Sequence, residues 1–236
     1  MSFVIARTQY DFSNRKKMRG AWFVMLANAY WSKSILESKY VCLQIRKLQE
    51  YFPCEQCKIH FGDHIAQFPP EFGLNSKLGV FNWIVNFMNE VNIRIGKPIY
   101  KSKLLIQQFR TNNFASSNST YNFSDCSKLR GAWFVILSNS CYTADPITDK
   151  IFCKQLRVLQ DCFPIDSDAE FFGDYLLQNP PEEQIGELMG MFIWTVNYMN
   201  AYRRYTGAQE YQRYILYKEF HEPGFNTCQE CGDSAG

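Results

Sequence analysis

The sequence lacks several features that define large classes of protein. It contains no run of about 18 uninterrupted apolar residues, so we predict no membrane span, and its N-terminus has no apolar core of signal-peptide length. No segment alternates strictly between apolar and polar residues over the length of a strand, which argues against a sheet. The formal net charge is only +2 and no basic stripe dominates, so we expect no nucleic-acid partner.

Cysteine is scarce, but its spacing is informative. The 236 residues include nine cysteines, too few to staple a chain of this length with disulfides. Four of them fall into two C-x-x-C motifs, Cys54/Cys57 and Cys228/Cys231. The odd total leaves at least one cysteine without an intramolecular disulfide partner. A hydrophobic fraction of 46% and an aromatic fraction of 17% are sufficient to fill a core without such staples.

The chain repeats itself at a fixed interval. RGAWFVMLAN at 19–28 returns as RGAWFVILSN at 130–139, a shift of 111 residues. Between 19–89 and 130–200, 30 of 71 aligned positions are identical without a gap. Chance does not produce such identity, so the chain consists of two copies of one fold, which we name copy one and copy two.

Each copy has the pattern of a helical bundle. The first helix carries apolar residues at the i, i+3, i+4 and i+7 spacing of one helical face, namely Trp22, Met25, Leu26 and Ala29. Further helices of copy one are expected near 39–51, from about Cys54 to before Pro69, over about 75–95 and over 100–110. The predicted fold class is all-α, with two tandem bundles of four to five helices each.

The composition of two segments predicts where the domains begin and end. The connector RTNNFASSNSTYNFSDC is rich in Asn, Ser and Thr and has no helical period, so it predicts a loop. The C-terminal HEPGFNTCQECGDSAG is rich in Pro, Gly and polar residues and predicts a flexible tail. The predicted division is a first domain (1–110), a linker (111–127), a second domain without a C-x-x-C motif (128–220) and a tail (221–236).

The two copies differ where chemistry is expected. CEQCKIH in copy one faces IDSDAEF in copy two, so that Cys57 corresponds to Asp168. Copy two keeps the framework without these cysteines, which weakens a purely structural interpretation of the pair. A cysteine in the first turn of a helix is stabilised as thiolate by the helix dipole and free N–H groups. Such a thiolate attacks disulfides, and a second cysteine one turn away resolves the mixed disulfide.

A zinc site is an alternative use of these residues. Such a site needs four ligands, and the residues able to supply them are the first cysteine pair, His60 or His64, and the tail pair. These segments lie far apart in the sequence and lack the compact spacing of known zinc motifs, so we predict no metal. His64 is otherwise interpreted as a surface or packing residue.

Two stretches of copy one, FPCEQCKIHF and WIVNFMNEVNIRIGKP, resemble the Erv/ALR family of FAD-dependent sulfhydryl oxidases. The matching residues span about 19–100 in the order of the family motifs: Trp22, Phe52, Pro53, Cys54, Cys57, His60, Phe61, Trp83, Asn89, Val91, Asn92, Gly96, Lys97 and Pro98. Leu26 and Met88 stand where the family has histidines that line the flavin pocket, and the cysteine that often follows the GKP segment is missing.

The resemblance implies a site, a cofactor and a reaction. Cys57 would lie against the flavin and pass electrons to it, Cys54 would exchange with incoming dithiols, and oxygen would be reduced to hydrogen peroxide. The residues expected to contact FAD are Trp22, His60, Trp83, Asn89, Asn92 and Lys97. Family members often carry a second dithiol on a flexible arm, a shuttle role that fits Cys228 and Cys231.

The resemblance also implies partners and a location. The substrates would be protein dithiols and oxygen, and the two copies would pack as an internal pseudo-dimer, with a homodimer of whole chains as a further option. Tandem copies with one degenerate member also resemble oxidases of large insect DNA viruses. The expected location is the cytosol or a virion, with the mitochondrial intermembrane space as an alternative. Two alternative functions stay open: a non-enzymatic helical interaction protein derived from the oxidase fold, and a zinc-stapled structural protein.

Overall fold

The computed structural model describes residues 20–52, 55–114, 126–143 and 145–221. Within these ranges the secondary structure consists of α-helices and short 3-10 helices, with no strand, which confirms the predicted all-α class for this part of the chain. Three cysteines of the predicted site lie outside the described residues: Cys54, Cys228 and Cys231.

Copy one contributes five α-helices. They are α1 (Gly20–Trp31), α2 (Ile35–Tyr51), α3 (Glu55–Gln67), α4 (Gly79–Arg94) and α5 (Ser102–Thr111). Helix α2 begins four residues earlier than expected because Ser34 caps it, its hydroxyl accepting a hydrogen bond from the Glu37 amide at 3.2 Å. Helix α4 begins later than expected because a 3-10 helix occupies Pro70–Asn75.

Copy two repeats this arrangement. Its helices are α6 (Cys126–Ser140), α7 (Pro146–Asp161), α8 (Asp166–Gln178), α9 (Gly190–Tyr205) and α10 (Arg213–His221), with a 3-10 helix at Pro181–Gln184. The bounds of α8 and α9 equal those of α3 and α4 shifted by 111 residues. Helix α6 begins at Cys126, so the last two residues of the predicted linker are helical.

Side-chain interactions repeat at the same interval. Arg46 pairs with Glu71 at 2.6 Å in copy one, and their counterparts Arg157 and Glu182 pair at 2.7 Å in copy two. Each arginine thereby holds α2 or α7 against the following 3-10 helix. The shared residues of the repeat therefore maintain a framework, and the residues that differ between the copies are the candidates for function.

The two copies share one apolar core. Helix α1 packs most extensively against α6, and nearly all of α1 is buried, with only the half-buried Trp22 and the two C-terminal residues reaching the surface. At the crossing of α2 and α7, the equivalent residues Gln44 and Gln155 exchange two side-chain hydrogen bonds of 2.8 and 3.0 Å. No helix among the described residues is long and apolar enough to cross a membrane.

Candidate active site

Helix α3 carries the candidate redox cysteine at its start. Cys57 lies in the first turn of α3, is partly buried and forms a disulfide. Gln49 of α2 donates a hydrogen bond of 3.0 Å to the Lys58 carbonyl, and Phe52 meets Phe61 edge to face at 6.0 Å. Two contacts from the α2 side therefore fix the position of the turn that carries Cys57.

An aromatic cluster lies between α1, α3 and α4, with Phe87 at its centre. Phe61 and His64 stack on the Phe87 ring at 4.5 and 4.6 Å. Trp22 and Trp83 contact the same ring at 5.5 and 5.7 Å. The structure thus brings together the two tryptophans predicted from the family motifs, through a phenylalanine that the motifs did not single out.

Trp83 also has a framework role. Its indole N–H donates to the Phe68 carbonyl at 2.7 Å, and the counterpart Trp194 donates to the Asn179 carbonyl at the same distance. Because copy two makes this bond without a C-x-x-C motif, the bond belongs to the shared fold. Any cofactor contact of Trp83 would involve the ring and not its N–H.

His64 is a buried residue with polar partners. Its Nδ1 lies 2.5 Å from Glu90 Oε2, in a close polar contact that is not aligned as a hydrogen bond, and Glu90 also pairs with Arg94 at 2.5 Å. Of the two interpretations of His64, as a surface or as a packing residue, its 7% exposure agrees with packing and not with the surface. Its counterpart in copy two is Tyr175, and Ala201 replaces Glu90, so this polar chain exists only in the copy with the C-x-x-C motif.

The two predicted amide ligands of FAD shape the turn after α4. The Asn89 side chain accepts a hydrogen bond from the Tyr100 amide at 2.7 Å and donates to the Tyr100 carbonyl at 2.8 Å. The Asn92 side chain, which is buried, donates to the Pro98 carbonyl at 3.1 Å. Both side chains therefore have partners within the chain, and cofactor contact by either stays a prediction.

A glycine in the left-handed backbone conformation ends α4. Gly96 adopts a φ of 66°, which favours glycine, and the Lys97 amide then donates to the Asn92 carbonyl at 2.8 Å. This is the hydrogen bond that closes a helix in the Schellman motif. The turn leaves the Lys97 side chain exposed at the C-terminal end of α4.

Copy two shows which positions are neighbours at this end of the bundle. Tyr202 donates a hydrogen bond to Asp168 at 2.7 Å, and Phe171 stacks on Tyr205 at 4.9 Å. Under the 111-residue shift, Asp168 and Phe171 occupy the places of Cys57 and His60 on α3. Their partners occupy the places of Val91 and Arg94 on α4. The start of α3 and the end of α4 therefore meet at one end of each copy.

Basic side chains occupy different positions at that end in the two copies, and copy two carries Arg203 and Arg204 where copy one has Asn92 and Ile93. Basic side chains that copy two lacks are Lys58, His60, Arg94 and Lys97, and their counterparts are Ala169, Phe171, Tyr205 and Ala208. In copy one these side chains are exposed or half-buried. Basic groups at a cluster of aromatic rings suit a planar cofactor with an anionic part. The residues present therefore fit FAD, although Leu26 and Met88, which replace family histidines, are fully buried in the core.

The remaining described cysteines are unsuited to redox chemistry. Cys42, Cys141, Cys153 and Cys162 are free thiols. Burial raises the pKa of Cys42, Cys153 and Cys162 to about 12, and burial also raises the pKa of Cys141. Thiols that stay protonated are poor nucleophiles. Among the described residues, no group of three or more His, Cys, Asp and Glu side chains is placed to hold a metal ion.

The sequence-predicted residues are thus distributed over two parts of the site. Cys57 and His60 lie on the first turns of α3, and His60 is exposed, with its Nε2 3.0 Å from Gln56 Nε2. Trp22 and Trp83 join the aromatic cluster. The sequence interpretation missed Phe87 and the His64–Glu90–Arg94 chain, although the absence of this chain from copy two was visible in the repeat alignment.

These features define a class of protein, an all-helical bundle with a disulfide at a helix start near a cluster of aromatic rings and several basic side chains. Residues 19–111 match the model of the Erv1 / Alr family, which confirms for this segment the resemblance that its motifs predicted.

A viral protein also resembles part of the chain. A stretch of 66 residues, 28% of the chain, is 30% identical to "Putative FAD-linked sulfhydryl oxidase 096R" of Invertebrate iridescent virus 3. The match covers 45% of that relative, so the chain spans less than half of the relative's length. No solved structure matches the chain.

Proposed function

We propose that the protein is an FAD-linked thiol oxidase that introduces disulfides into other proteins and passes the electrons to oxygen. The observation that carries the proposal is the restriction of three features to one copy. The Cys57 disulfide, the basic side chains around it and the His64–Glu90 contact all occur in copy one. Copy two keeps the same helices without them.

The chain's own residues have distinct roles in this proposal. Cys54 would pair with Cys57 and exchange with substrate dithiols, and the helix start would stabilise the thiolate that Cys57 becomes on reduction. Trp22 and Trp83 would flank the flavin ring. His60, Lys97 and the Asn89–Asn92 turn would hold the rest of the cofactor.

The reaction balances as a two-electron transfer. Each substrate dithiol loses two electrons and two protons on forming its disulfide, and one oxygen molecule takes up both to become hydrogen peroxide. When bound, FAD supplies the acceptor that couples these two steps, because thiolates reduce oxygen poorly by themselves. The protein contributes the position of Cys57 and the exclusion of competing thiols, since Cys42, Cys153 and Cys162 are buried and Cys141 is partly buried.

The contacts between the copies support a role for the tail. Phe220, near the end of α10, packs 6.1 Å from Tyr51, three residues before Cys54. Cys228 follows Phe220 by eight residues, a reach of about 27 Å when extended. We therefore propose that the tail dithiol of copy two serves the disulfide of copy one within the same chain. The packing of α1 on α6 and the Gln44–Gln155 exchange support an internal pseudo-dimer with copy two as the inactive partner.

The visible absorption spectrum tests the proposed function. The purified protein should show a flavin band that bleaches with dithiothreitol and recovers in air as peroxide forms. Cys57→Ser should abolish turnover and keep the colour, because Cys57 donates electrons but does not hold the cofactor. A protein that stays colourless after incubation with FAD would contradict the proposal and favour a helical interaction protein.

A further inference from the structure

The contact between the two copies has a local two-fold symmetry. Phe52 of copy one meets Phe134 of copy two at 6.1 Å, with 87° between the ring planes. The counterparts of these residues under the 111-residue shift, Phe163 and Phe23, meet at the same distance and the same angle. A contact in which each partner also makes the other's contact is isologous, as in a homodimer with a two-fold axis.

This symmetry alone does not decide which copies pair. Gln44 exchanges two hydrogen bonds with its own counterpart, Gln155, so Gln44 would fit equally well against Gln44 of a second chain. The same surface therefore fits an unlike pairing, of copy one with copy two, and a like pairing, of the same copy from two chains. Selection between them requires a contact that only one pairing makes.

An ion pair between α2 and α7 breaks the symmetry. Lys154 of α7 pairs with Oε1 of Glu37 on α2. Under the shift, Lys154 corresponds to Leu43, and Glu37 corresponds to Thr148, so the equivalent positions are uncharged. The Glu37 side chain is only 16% exposed, and its Oε2 accepts a hydrogen bond of 2.5 Å from the Lys33 amide. The start of α2 therefore holds this carboxylate at the contact.

A like pairing would lose the ion pair. In a pairing of two first copies, the symmetry places each Glu37 against Leu43 of the other chain. In a pairing of two second copies, it places each Lys154 against Thr148. Two chains that pair their unlike copies thus keep two ion pairs, and the same chains paired like with like keep none. A largely buried carboxylate without its cation is unfavourable.

Another contact between the copies does not discriminate in this way. The Lys47 Nζ lies 5.3 Å from the centre of the Tyr142 ring. The counterpart of Tyr142 is Trp31, so a like pairing of first copies would still offer Lys47 an aromatic ring.

We infer that the Glu37–Lys154 ion pair selects the unlike pairing and prevents this surface from accepting the same copy of a second chain. The covalent connection between the copies then favours partners within one chain, because it raises their effective concentration. The inference concerns the pairing of the copies and does not depend on the proposed oxidase activity.

A photo-cross-linking benzophenone side chain at position 43 reads the pairing in the full chain. By the symmetry of the contact, position 43 faces Thr148 in the unlike pairing and Glu37 of a second chain in the like pairing of first copies. With Glu37 and Lys154 unchanged, the product should be intrachain and attached to the peptide that contains Thr148. Denaturing electrophoresis separates it from an interchain product of twice the mass, and mass spectrometry identifies the attached peptide.

Charge reversal penalises the unlike pairing alone. In Glu37→Lys or Lys154→Glu, like charges meet in the unlike pairing, whereas a like pairing gains no repulsion. At high protein concentration, the ratio of interchain product at residue 37 to intrachain product should rise about tenfold. The charge swap Glu37→Lys/Lys154→Glu should restore the original ratio. Lys150→Glu makes the same charge change at an exposed residue of α7 and should leave the ratio unchanged.

Three results would overturn the inference. An unchanged ratio in both single variants, or an equal rise in the charge swap, would mean that packing alone selects the pairing. Attachment to the Glu37 peptide of a second chain while both charges are in place would mean that like copies pair in spite of the ion pair. If the charge-reversal variants do not fold, Lys154→Met removes the ion pair without repulsion. It should raise the ratio about threefold, and no rise there would equally reject the inference.

Discussion

At the scale of single residues, the cysteines differ in burial and in the state of their sulfur atoms. Cys57 forms a disulfide at a helix start, whereas Cys42 and its counterpart Cys153 lie in the core at 1% and 2% exposure. Both copies keep this buried pair of positions, so it serves packing. Cysteine thus occurs both as a disulfide at a helix start and as a buried packing residue, and the two kinds of position differ in their exposure to solvent.

Burial of these thiols predicts a pH dependence. The pKa of Cys42, Cys153 and Cys162 is about 12 in the folded protein and about 8.5 in an unfolded chain. The unfolded state loses these protons first, so their stabilising effect is complete below about pH 8.5 and declines as the pH rises towards 12. The denaturation midpoint in urea should therefore fall with pH in this range, and replacement of the three cysteines by alanine should flatten that fall.

Labelling gives a second measurement of the same property. Iodoacetamide at pH 8.5 should modify none of these three cysteines in the native protein and all three in urea, as read by mass spectrometry. Rapid labelling of Cys42 in the native protein would show that α2 opens locally, and it would contradict the burial on which the pH dependence rests.

At the scale of elements, an equivalent asparagine closes the same turn in each copy. Asn89 holds the Tyr100 backbone with two hydrogen bonds, and Asn200 holds Tyr211 with bonds of 3.0 and 2.7 Å. The family motif treats Asn89 as a cofactor residue, and the repeat shows that it is also a structural one. The two roles can be separated because copy two provides the structural role alone.

Matched alanine variants separate them. Asn89→Ala and Asn200→Ala should each destabilise the protein by about 2 kcal/mol, because each leaves backbone groups without partners. Thermal unfolding measures this loss. If Asn89 also contacts the cofactor, only Asn89→Ala should lower the flavin content, as read from the visible absorbance. Equal flavin content in the two variants would confine Asn89 to the turn.

The elements also show what the sequence could predict. The 111-residue repeat predicted a helical copy two from a helical copy one, because the shared residues maintain the same framework and the replacements keep its function, as where Asp145 caps α7 at the place of Ser34. It could not predict that α1 is buried on nearly every side, since the second contact face depends on where α6 packs. The burial of His64 against Phe87 was likewise hidden, because a single histidine at helical spacing does not reveal the ring that faces it.

At the scale of the whole molecule, a phenylalanine of each copy packs against the phenylalanine that precedes the third helix of the other copy. In copy two, Phe134 stacks on Phe220 at 5.6 Å and meets Phe52 of copy one at 6.1 Å. On the opposite side, Phe23 of copy one meets Phe163 of copy two at 6.1 Å. Only the contact at Phe52 lies beside the C-x-x-C motif, because the equivalent Phe163 precedes a helix without these cysteines. The two contacts are equivalent in packing, but only one of them adjoins the candidate redox site.

This asymmetry can be measured with equivalent substitutions. Phe220→Ala and Phe109→Ala remove counterpart rings, both almost fully buried, and each should destabilise the protein by about 3–5 kcal/mol. Phe220→Ala should also speed the reduction of the Cys57 disulfide by added thiol, because Tyr51 loses a packing partner and Phe134, which meets Phe52, loses its stacking partner. Phe109 stacks on Phe23, which meets Phe163 of copy two beside a helix without such a disulfide, so Phe109→Ala should change the rate little. Equal acceleration in both variants would mean that the disulfide senses only global stability, and copy two would then have no specific role in positioning it. If Phe220→Ala does not fold, Phe220→Leu and Phe109→Leu give the same comparison with a smaller loss of packing.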